Sequence, residues 1–159
     1  MGAGILPITI HNGKLLFLFS REYIGGDHFD NGLWSDFGGG SDKNESIRET
    51  AVRECFEESD GFLGNIKTIT KLVKSKTIKK LRYENYTTYI VYIKYDENLP
   101  IKFKKKFSKI KNTSPELILK NGLYEKDLLK WVEYSEILNF YNSFRPFYKN
   151  IVNLLLKKF

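Results

Sequence analysis

An acidic segment that directly follows three consecutive glycines is the feature that most constrains this chain. Ser46 and Glu49 have the spacing of a capping box, in which each side chain accepts a hydrogen bond from the other residue's backbone N–H. Asp60-Gly61 supplies a stop, because glycine adopts the left-handed conformation without strain. Apolar residues recur every four positions in between, at Ile47, Ala51 and Cys55. The segment therefore predicts a helix that packs a narrow apolar stripe against a sheet.

The same predicted helix carries three carboxylates on one face of its C-terminal half. Glu54, Glu57 and Glu58 are spaced i, i+3 and i+4, so their side chains project in one direction. These like charges repel one another, and the negative end of the helix dipole disfavours them further. A hard divalent cation such as Mg²⁺ or Mn²⁺, which prefers oxygen ligands, would compensate them. The alternative is a solvated acidic face in which Glu49 and Arg53 form an ordinary ion pair.

Around this helix the sequence pattern predicts the elements of one α/β domain. Two apolar runs, 4–10 and 14–20, flank Asn12-Gly13, a dipeptide typical of a tight hairpin turn. Segments rich in β-branched and aromatic residues predict further strands over 34–37, 66–78, 81–95 and 127–132. Helical spacing predicts a short helix over 135–138 and a terminal helix over 146–159. No pattern assigns residues 98–126, and no repeat or linker divides the chain, which predicts a single domain over 1–159.

Composition excludes several classes of protein. The chain has 159 residues, 42% of them hydrophobic, which is enough for one packed core and too apolar for a disordered protein. No apolar run approaches the ~18 to 20 residues of a bilayer crossing, so no membrane association is expected. The N-terminal segment lacks the basic flank of a signal peptide, and a single cysteine excludes an internal disulfide. A cytoplasmic, reducing location is therefore expected.

The positive net charge of +7 comes almost entirely from lysine, which outnumbers arginine 21 to 5. Lysine, isoleucine and asparagine all have A/T-rich codons, so the base composition of the gene is one explanation. An anionic partner, either a polyphosphate or a nucleic acid, is the other. Lysine-rich stretches at 71–82 and 102–111 would form the surface for such a partner, including RNA.

The spacing of the acidic segment resembles the signature of the Nudix hydrolase superfamily. Gly39, five residues, Glu45, seven residues and then Arg53-Glu54-Cys55-Phe56-Glu57-Glu58 follow the pattern Gly-x5-Glu-x7-Arg-Glu-U-x-Glu-Glu-x-Gly-U, where U is apolar. One position departs from it, because Asp60 stands where the signature has glycine and Gly61 follows. The resemblance implies a Nudix-type α/β/α sandwich with a central mixed sheet that is mostly antiparallel at its edges. Cys55 at a U position is expected in the core rather than as a nucleophile.

The resemblance also implies roles for individual residues. Glu54, Glu57 and Glu58 would bind Mg²⁺ or Mn²⁺, with the carbonyl of Gly38 as a further ligand. Glu45 and Arg53 would share a charge network that orients these carboxylates, and Glu57 or Glu58 would help to activate the attacking water. Some family members take an additional base or metal ligand from a later loop, where Glu125 is the candidate here. The family's reaction is hydrolysis of a nucleoside diphosphate linked to another moiety.

Three residues are weaker candidates for contact with substrate. Arg21 ends the second strand, where it could reach a phosphate or form a salt bridge with a neighbouring acid. Trp34 and Phe37 flank the glycines, where they could stack on a base or pack in the core. No role is assigned to His11 or His28.

Several functions stay open at this level. A nucleotide or nucleotide-conjugate hydrolase, an RNA 5′-cap hydrolase and a diphosphoinositol polyphosphate hydrolase would all use the same carboxylates. A Nudix-fold binding module without catalysis is the alternative from another class, and three mutually repelling carboxylates argue against it. Many folds of this family pair into dimers, but no stretch of this sequence identifies an interface.

Overall fold

The computed structural model describes residues 1–159 as seven strands and four helices joined by loops and short 3₁₀ segments. The strands are β1 (Gly2–His11), β2 (Lys14–Glu22), β3 (Trp34–Ser35), β4 (Phe37–Gly40), β5 (Thr77–Tyr83), β6 (Tyr86–Tyr92) and β7 (Lys126–Glu133). The helices are α1 (Ile47–Glu58), α2 (Ile66–Lys76), α3 (Leu99–Thr113) and α4 (Tyr148–Lys158). None of these helices combines the length and the apolar character that a membrane crossing requires.

All seven strands form one mixed sheet with β1 at its centre. β1 pairs in parallel with β6 along one side, and on the other side it pairs antiparallel with β4 and then with β2. β2 carries β3 and β7 as antiparallel neighbours, and β5 closes the far edge against β6. The predicted hairpin turn is confirmed, since Asn12 and Gly13 both have positive φ.

Two apolar cores lie on opposite faces of this sheet. The α1 core joins side chains of α1, α2 and α3 to the sheet, including Ala51, Ile69 and Phe103. The α4 core joins α4 to the other face, and its members include Trp34, Val152 and Leu155. The predicted α/β/α sandwich is therefore confirmed, and Cys55 lies buried in the α1 core as expected.

One element was predicted wrongly. Residues 66–78 form helix α2 rather than a strand, and the strand β5 begins only at Thr77. The β-branched residues of this segment favoured a strand, but Ile69 and Val73 are buried at helical spacing and Asn65 caps the helix by accepting from the N–H of Thr68. The predicted strand over 81–95 is consequently divided: its first residues end β5, Glu84-Asn85 form the turn, and β6 follows over Tyr86–Tyr92.

The bounds of the other predicted elements differ less from those observed. The predicted strand over 34–37 is divided between β3 and β4, the last strand is observed as β7, and the terminal helix is observed as α4. The unassigned segment contains α3, which carries the lysine-rich stretch 102–111. A 3₁₀ turn over Tyr134–Glu136 overlaps the first half of the predicted short helix, 135–138.

Candidate active site

The turn from β4 into α1 places the acidic helix beside the three glycines. The capping box is present: Ser46 Oγ accepts from the N–H of Glu49 at 3.1 Å, and Glu49 Oε2 accepts from the N–H of Ser46 at 3.3 Å. After the helix, Asp60 and Gly61 both have positive φ, and Asp60 pairs with Lys106 at 2.7 Å. The departure from the family signature therefore falls on the turn after the helix and does not change the spacing of Glu54, Glu57 and Glu58.

A cleft of about 370 Å³ opens above these glycines. Its lining includes Gly38, Gly39, Gly40, Glu54 and Glu58 from the β4–α1 unit, together with Glu22, Tyr23, Gly26, Asp27, His28, Asn31, Leu119, Glu125 and Arg145. A side chain at Gly39 would displace Glu54, because a Cβ there would lie 2.7 Å from the Glu54 carboxylate. The structure thus brings Gly38, Glu54, Glu58 and Glu125 to one cleft.

The guanidinium of Arg53 donates hydrogen bonds to three glutamates and one backbone carbonyl. It donates to Glu45 Oε2 at 2.8 Å, to Glu54 Oε1 at 2.9 Å, to Glu57 Oε2 at 3.3 Å and to the carbonyl of Gly40 at 2.9 Å. The hydrogen bonds from Arg53 lower the pKa of Glu45 to about 2, and Glu45 in turn raises the pKa of Arg53. This ion pair stays charged at neutral pH and fixes the orientation of Glu54 and Glu57. Glu57 does not line the cleft itself, and its hydrogen bond with Arg53 connects it to the residues that do.

Glu58 is held from the opposite side. Its side chain is only 3% exposed, and Oε1 accepts from the backbone N–H of Gly38 at 2.7 Å. Burial raises the pKa of Glu58 well above its usual range, and the neighbouring charge of Lys126 opposes this shift. The Lys126 ammonium lies 3.9 Å from Glu58 Oε2.

Two further carboxyls share this environment. Burial raises the pKa of Glu54 to about 7, with Glu57 and Glu125 repelling it in the same direction and Arg53 acting against them. Burial also raises the pKa of Glu125, and repulsion from Glu22 and Glu57 adds to it. Burial thus disfavours the ionised forms of Glu54 and Glu125, and a nearby positive charge would stabilise them.

The donor set fits a hard divalent cation. In the structure Arg53 bonds Glu54 and Glu57, Lys126 lies near Glu58, and no three His, Cys, Asp or Glu side chains are arranged to hold a metal ion. The donors are nevertheless carboxylate oxygens, the ligands that Mg²⁺ and Mn²⁺ prefer, and such a cation would favour the ionised forms of Glu54 and Glu58, whose pKa burial raises. Glu54, Glu57 and Glu58 are accordingly the residues that would hold it.

A buried network of opposite charges, which sequence reasoning missed, supports the cleft wall. The side chain of Lys126 is fully buried and donates to Glu22 at 3.0 Å and to Ser35 Oγ at 3.1 Å. Arg145, just before α4, donates to Glu22 at 2.8 Å and to Asp30 at 2.9 Å. No local pattern marks Lys126 or Arg145, because strand pairing and the packing of α4 bring them to the cleft.

The three weaker candidates lie away from the cleft. Arg21 forms a two-bond salt bridge with Asp127, at 2.7 and 3.0 Å, and is not among the lining residues. Trp34 is 8% exposed in the α4 core and Phe37 is fully buried in the α1 core. Core packing thus removes both rings from any stacking role. His28, to which no role was assigned, does line the cleft.

The model of the NUDIX domain family matches residues 1–151, and the chain therefore belongs to the Nudix family.

The similarity to an individual relative covers only part of this chain. A 58-residue segment is 43% identical to the uncharacterized protein L534 of Acanthamoeba polyphaga mimivirus, covering 36% of this chain and 18% of that protein. The match therefore spans less than a fifth of that relative's length.

Three solved structures share the fold. A Nudix hydrolase from M. smegmatis, RenU, has a TM-score of 0.51 at 12% identity, covering 99% of this chain and 86% of that one. A C. elegans Ap4A hydrolase binary complex has a TM-score of 0.51 at 14% identity, covering 99% and 98%. A bifunctional NMN adenylyltransferase/ADP ribose pyrophosphatase from Francisella tularensis, complexed with AMP and Mn ion, has a TM-score of 0.55 at 18% identity, covering 98% and 41%.

Proposed function

We propose that this protein is a metal-dependent pyrophosphohydrolase that cleaves a nucleoside diphosphate linked to another moiety. The observation that carries the proposal is the crowding of Glu54, Glu58 and Glu125 at one cleft, where burial raises the pKa of all three. A site with this excess of negative charge suits a substrate that arrives with divalent cations. Ap4A and ADP-ribose are named for two of the similar structures, and they are therefore the first substrates to test.

The proposed roles follow from how each side chain is held. Glu54, Glu57 and Glu58 hold Mg²⁺ or Mn²⁺, with the Gly38 carbonyl and Glu125 as further oxygen donors. When bound, such a cation neutralises phosphate charge and increases the acidity of water. Glu45 anchors Arg53, and Arg53 positions Glu54 and Glu57 through its planar fork of donors.

Glu57 is the better placed of two glutamates to accept a proton from the attacking water. Its side chain is 31% exposed, and Arg53 orients it through a hydrogen bond of 3.3 Å, so the carboxylate is positioned and accessible to water. Glu58 is 3% exposed and is fixed by the N–H of Gly38, which suits a ligand more than a base. Arg145 is the one arginine that lines the cleft and is the proposed contact for a substrate phosphate.

The test follows product release by purified protein with and without Mg²⁺ or Mn²⁺. The panel holds ADP-ribose, Ap4A, nucleoside triphosphates, diphosphoinositol polyphosphates and capped RNA. We expect metal-dependent cleavage that Glu57→Gln lowers by about 100-fold or more. Glu49→Gln is the matched control, because Glu49 lies on the same helix but caps its first turn.

Other outcomes would contradict the proposal in different ways. Cleavage without metal, or equal losses in the Glu57 and Glu49 variants, would remove the carboxylates from the reaction. A folded protein that binds no metal and cleaves no member of the panel would instead be a non-catalytic binding module.

An RNA 5′-end hydrolase is the second candidate, and helix α3 is the observation that favours it. The helix has six exposed lysines and no acidic residue, and only Lys106 is ion-paired. It reaches the cleft wall, since the Phe107 ring lies 5.4 Å from the ring of Tyr23. If α3 guides RNA, turnover of capped RNA will fall steeply with added salt, whereas turnover of small nucleotides will change little.

A further inference from the structure

Two loops at the mouth of the cleft present apolar side chains to solvent. Phe29, in the loop between β2 and β3, is 83% exposed and stacks on His28 with ring centroids 4.5 Å apart. Leu119, in the loop between α3 and β7, is 48% exposed. His28 and Leu119 both line the cleft, and a Cβ on Gly26 would lie 3.4 Å from Leu119 Cδ1, so the loops meet. We call His28, Phe29 and Leu119 the apolar rim.

Leu119 has a backbone conformation that leucine disfavours. Its φ is +65°, in the left-handed region that favours glycine, and Asn121, Gly122 and Tyr124 also have positive φ. The turn is closed by a hydrogen bond of 2.8 Å from the N–H of Leu119 to the carbonyl of Leu123. Gly122 approaches the Glu57 carboxylate, since a Cβ there would lie 3.9 Å from Oε2. A strained loop thus keeps an apolar side chain half-exposed beside the carboxylates.

The charge of the cleft restricts what can lie beneath this rim. Five carboxylates line it, those of Glu22, Asp27, Glu54, Glu58 and Glu125. Arg145 is the only lysine or arginine in the lining, and Glu22 and Asp30 already pair with it. A ring crowded with phosphates would meet more negative charge than metal ions at a single diphosphate can offset. The exposed lysines of α3 lie outside the lining.

We propose that the apolar rim stacks on the nucleobase of the substrate, with Phe29 as the main contact, so that the site selects a diphosphate joined to a nucleoside over diphosphoinositol polyphosphates. This inference rests on the proposed function and specifies its substrate class. A flat ring matches the exposed face of the His28–Phe29 stack, whereas a polyhydroxylated or phosphorylated ring would leave its polar groups against apolar carbon.

The test compares a substrate that has a base with one that lacks it. KM and kcat are measured for ADP-ribose and for 5-phosphoribosyl pyrophosphate with the wild type, Phe29→Ala, Phe29→Trp and Ile101→Ala, an exposed control on α3. We expect Phe29→Ala to raise KM for ADP-ribose about tenfold with kcat nearly unchanged, and Phe29→Trp to restore it. In these variants, KM for 5-phosphoribosyl pyrophosphate, which has no base, is expected to stay within about twofold of the wild-type value. Equal changes for both compounds, no change for either, or faster cleavage of diphosphoinositol polyphosphates than of nucleotides would overturn the proposal.

A binding measurement separates this inference from the proposed function. In Phe29→Trp the new indole is the exposed tryptophan at the rim, and AMP is expected to quench its fluorescence with saturation. Quenching in a protein that hydrolyses nothing would support the rim and overturn the proposed enzyme. Active enzyme without quenching would overturn the rim and leave the enzyme standing.

Discussion

At the scale of single residues, Arg53 explains why so many acids can be placed together. One guanidinium bonds three glutamates and a backbone carbonyl, which lysine cannot do because it lacks the planar fork of donors. The glutamates are thereby oriented before any cation or substrate is present. Glu58 and Glu125, which Arg53 does not bond, line the cleft.

The contribution of ionised Glu45 to the stability of the fold can be measured through its dependence on pH. Its pKa of about 2 in the folded protein lies below the usual 4.5, so the ionised form stabilises the fold at neutral pH. This contribution is present above about pH 4.5 and is lost as the pH falls toward 2. We expect Glu45→Gln to be less stable than the wild type near neutral pH and to approach it in acid, measured by urea unfolding across that range.

Glu97→Gln, at an exposed position, is the control for this titration. A difference between Glu45→Gln and the wild type that stays constant with pH would show that the side chain acts through packing rather than through its charge.

The residues that local spacing specifies were the ones that could be predicted. Arg53, Glu54, Glu57 and Glu58 lie on one helix, so helix geometry relates them, and Glu45 lies just before its N-cap. Lys126 and Glu22 are 104 positions apart, and Arg145 and Glu22 are 123 apart, so only the pairing of β2 with β7 and the docking of α4 bring them together. Sequence patterns within a window carry no information on such contacts.

At the scale of elements, the same contrast separates α1 from α2. The capping box and the terminal glycine identified α1 before its packing was known. For α2, the β-branched residues of 66–78 predicted a strand, whereas the burial of Ile69 and Val73 in the α1 core at helical spacing decides the fold. Propensity is weaker than tertiary packing where the two disagree.

A buried contact between β6 and the segment before β4 gives a prediction at this scale. The hydroxyl of Tyr86 donates to Asp36 Oδ1 at 2.7 Å, and Thr88 donates to Oδ2 at 2.7 Å. Asp36 is fully buried, so removing one donor leaves part of its carboxylate unsatisfied. We expect Tyr86→Phe to lower the free energy of unfolding by about 1–3 kcal/mol, measured by urea denaturation.

Tyr83→Phe is the matched control, because Tyr83 lies on the adjacent strand and is 41% exposed. Equal stability of the two variants would show that the Tyr86 hydroxyl contributes nothing to holding Asp36.

At the scale of the whole molecule, the two cores share one sheet and are expected to unfold together. Leu155→Ala removes a fully buried side chain from the α4 core, which costs about 2–5 kcal/mol. Trp34 lies in that core and Trp131 packs against the α1 core, so single-tryptophan variants report on each face. We expect Leu155→Ala to shift both unfolding midpoints equally; a shift confined to the Trp34 signal would show two independent units.

The position of β1 at the centre of the sheet has a consequence for synthesis of the chain. The ribosome makes β1 and β2 well before β6 and β7, the strands that pair along their outer edges. Translation at roughly 5–20 residues per second separates β2 from β7 by about 5–20 s. During that interval the nascent hairpin has unpaired edges, which are templates for association with other chains. Synthesis is therefore a stage at which the edges of β1 and β2 are open to association with other chains.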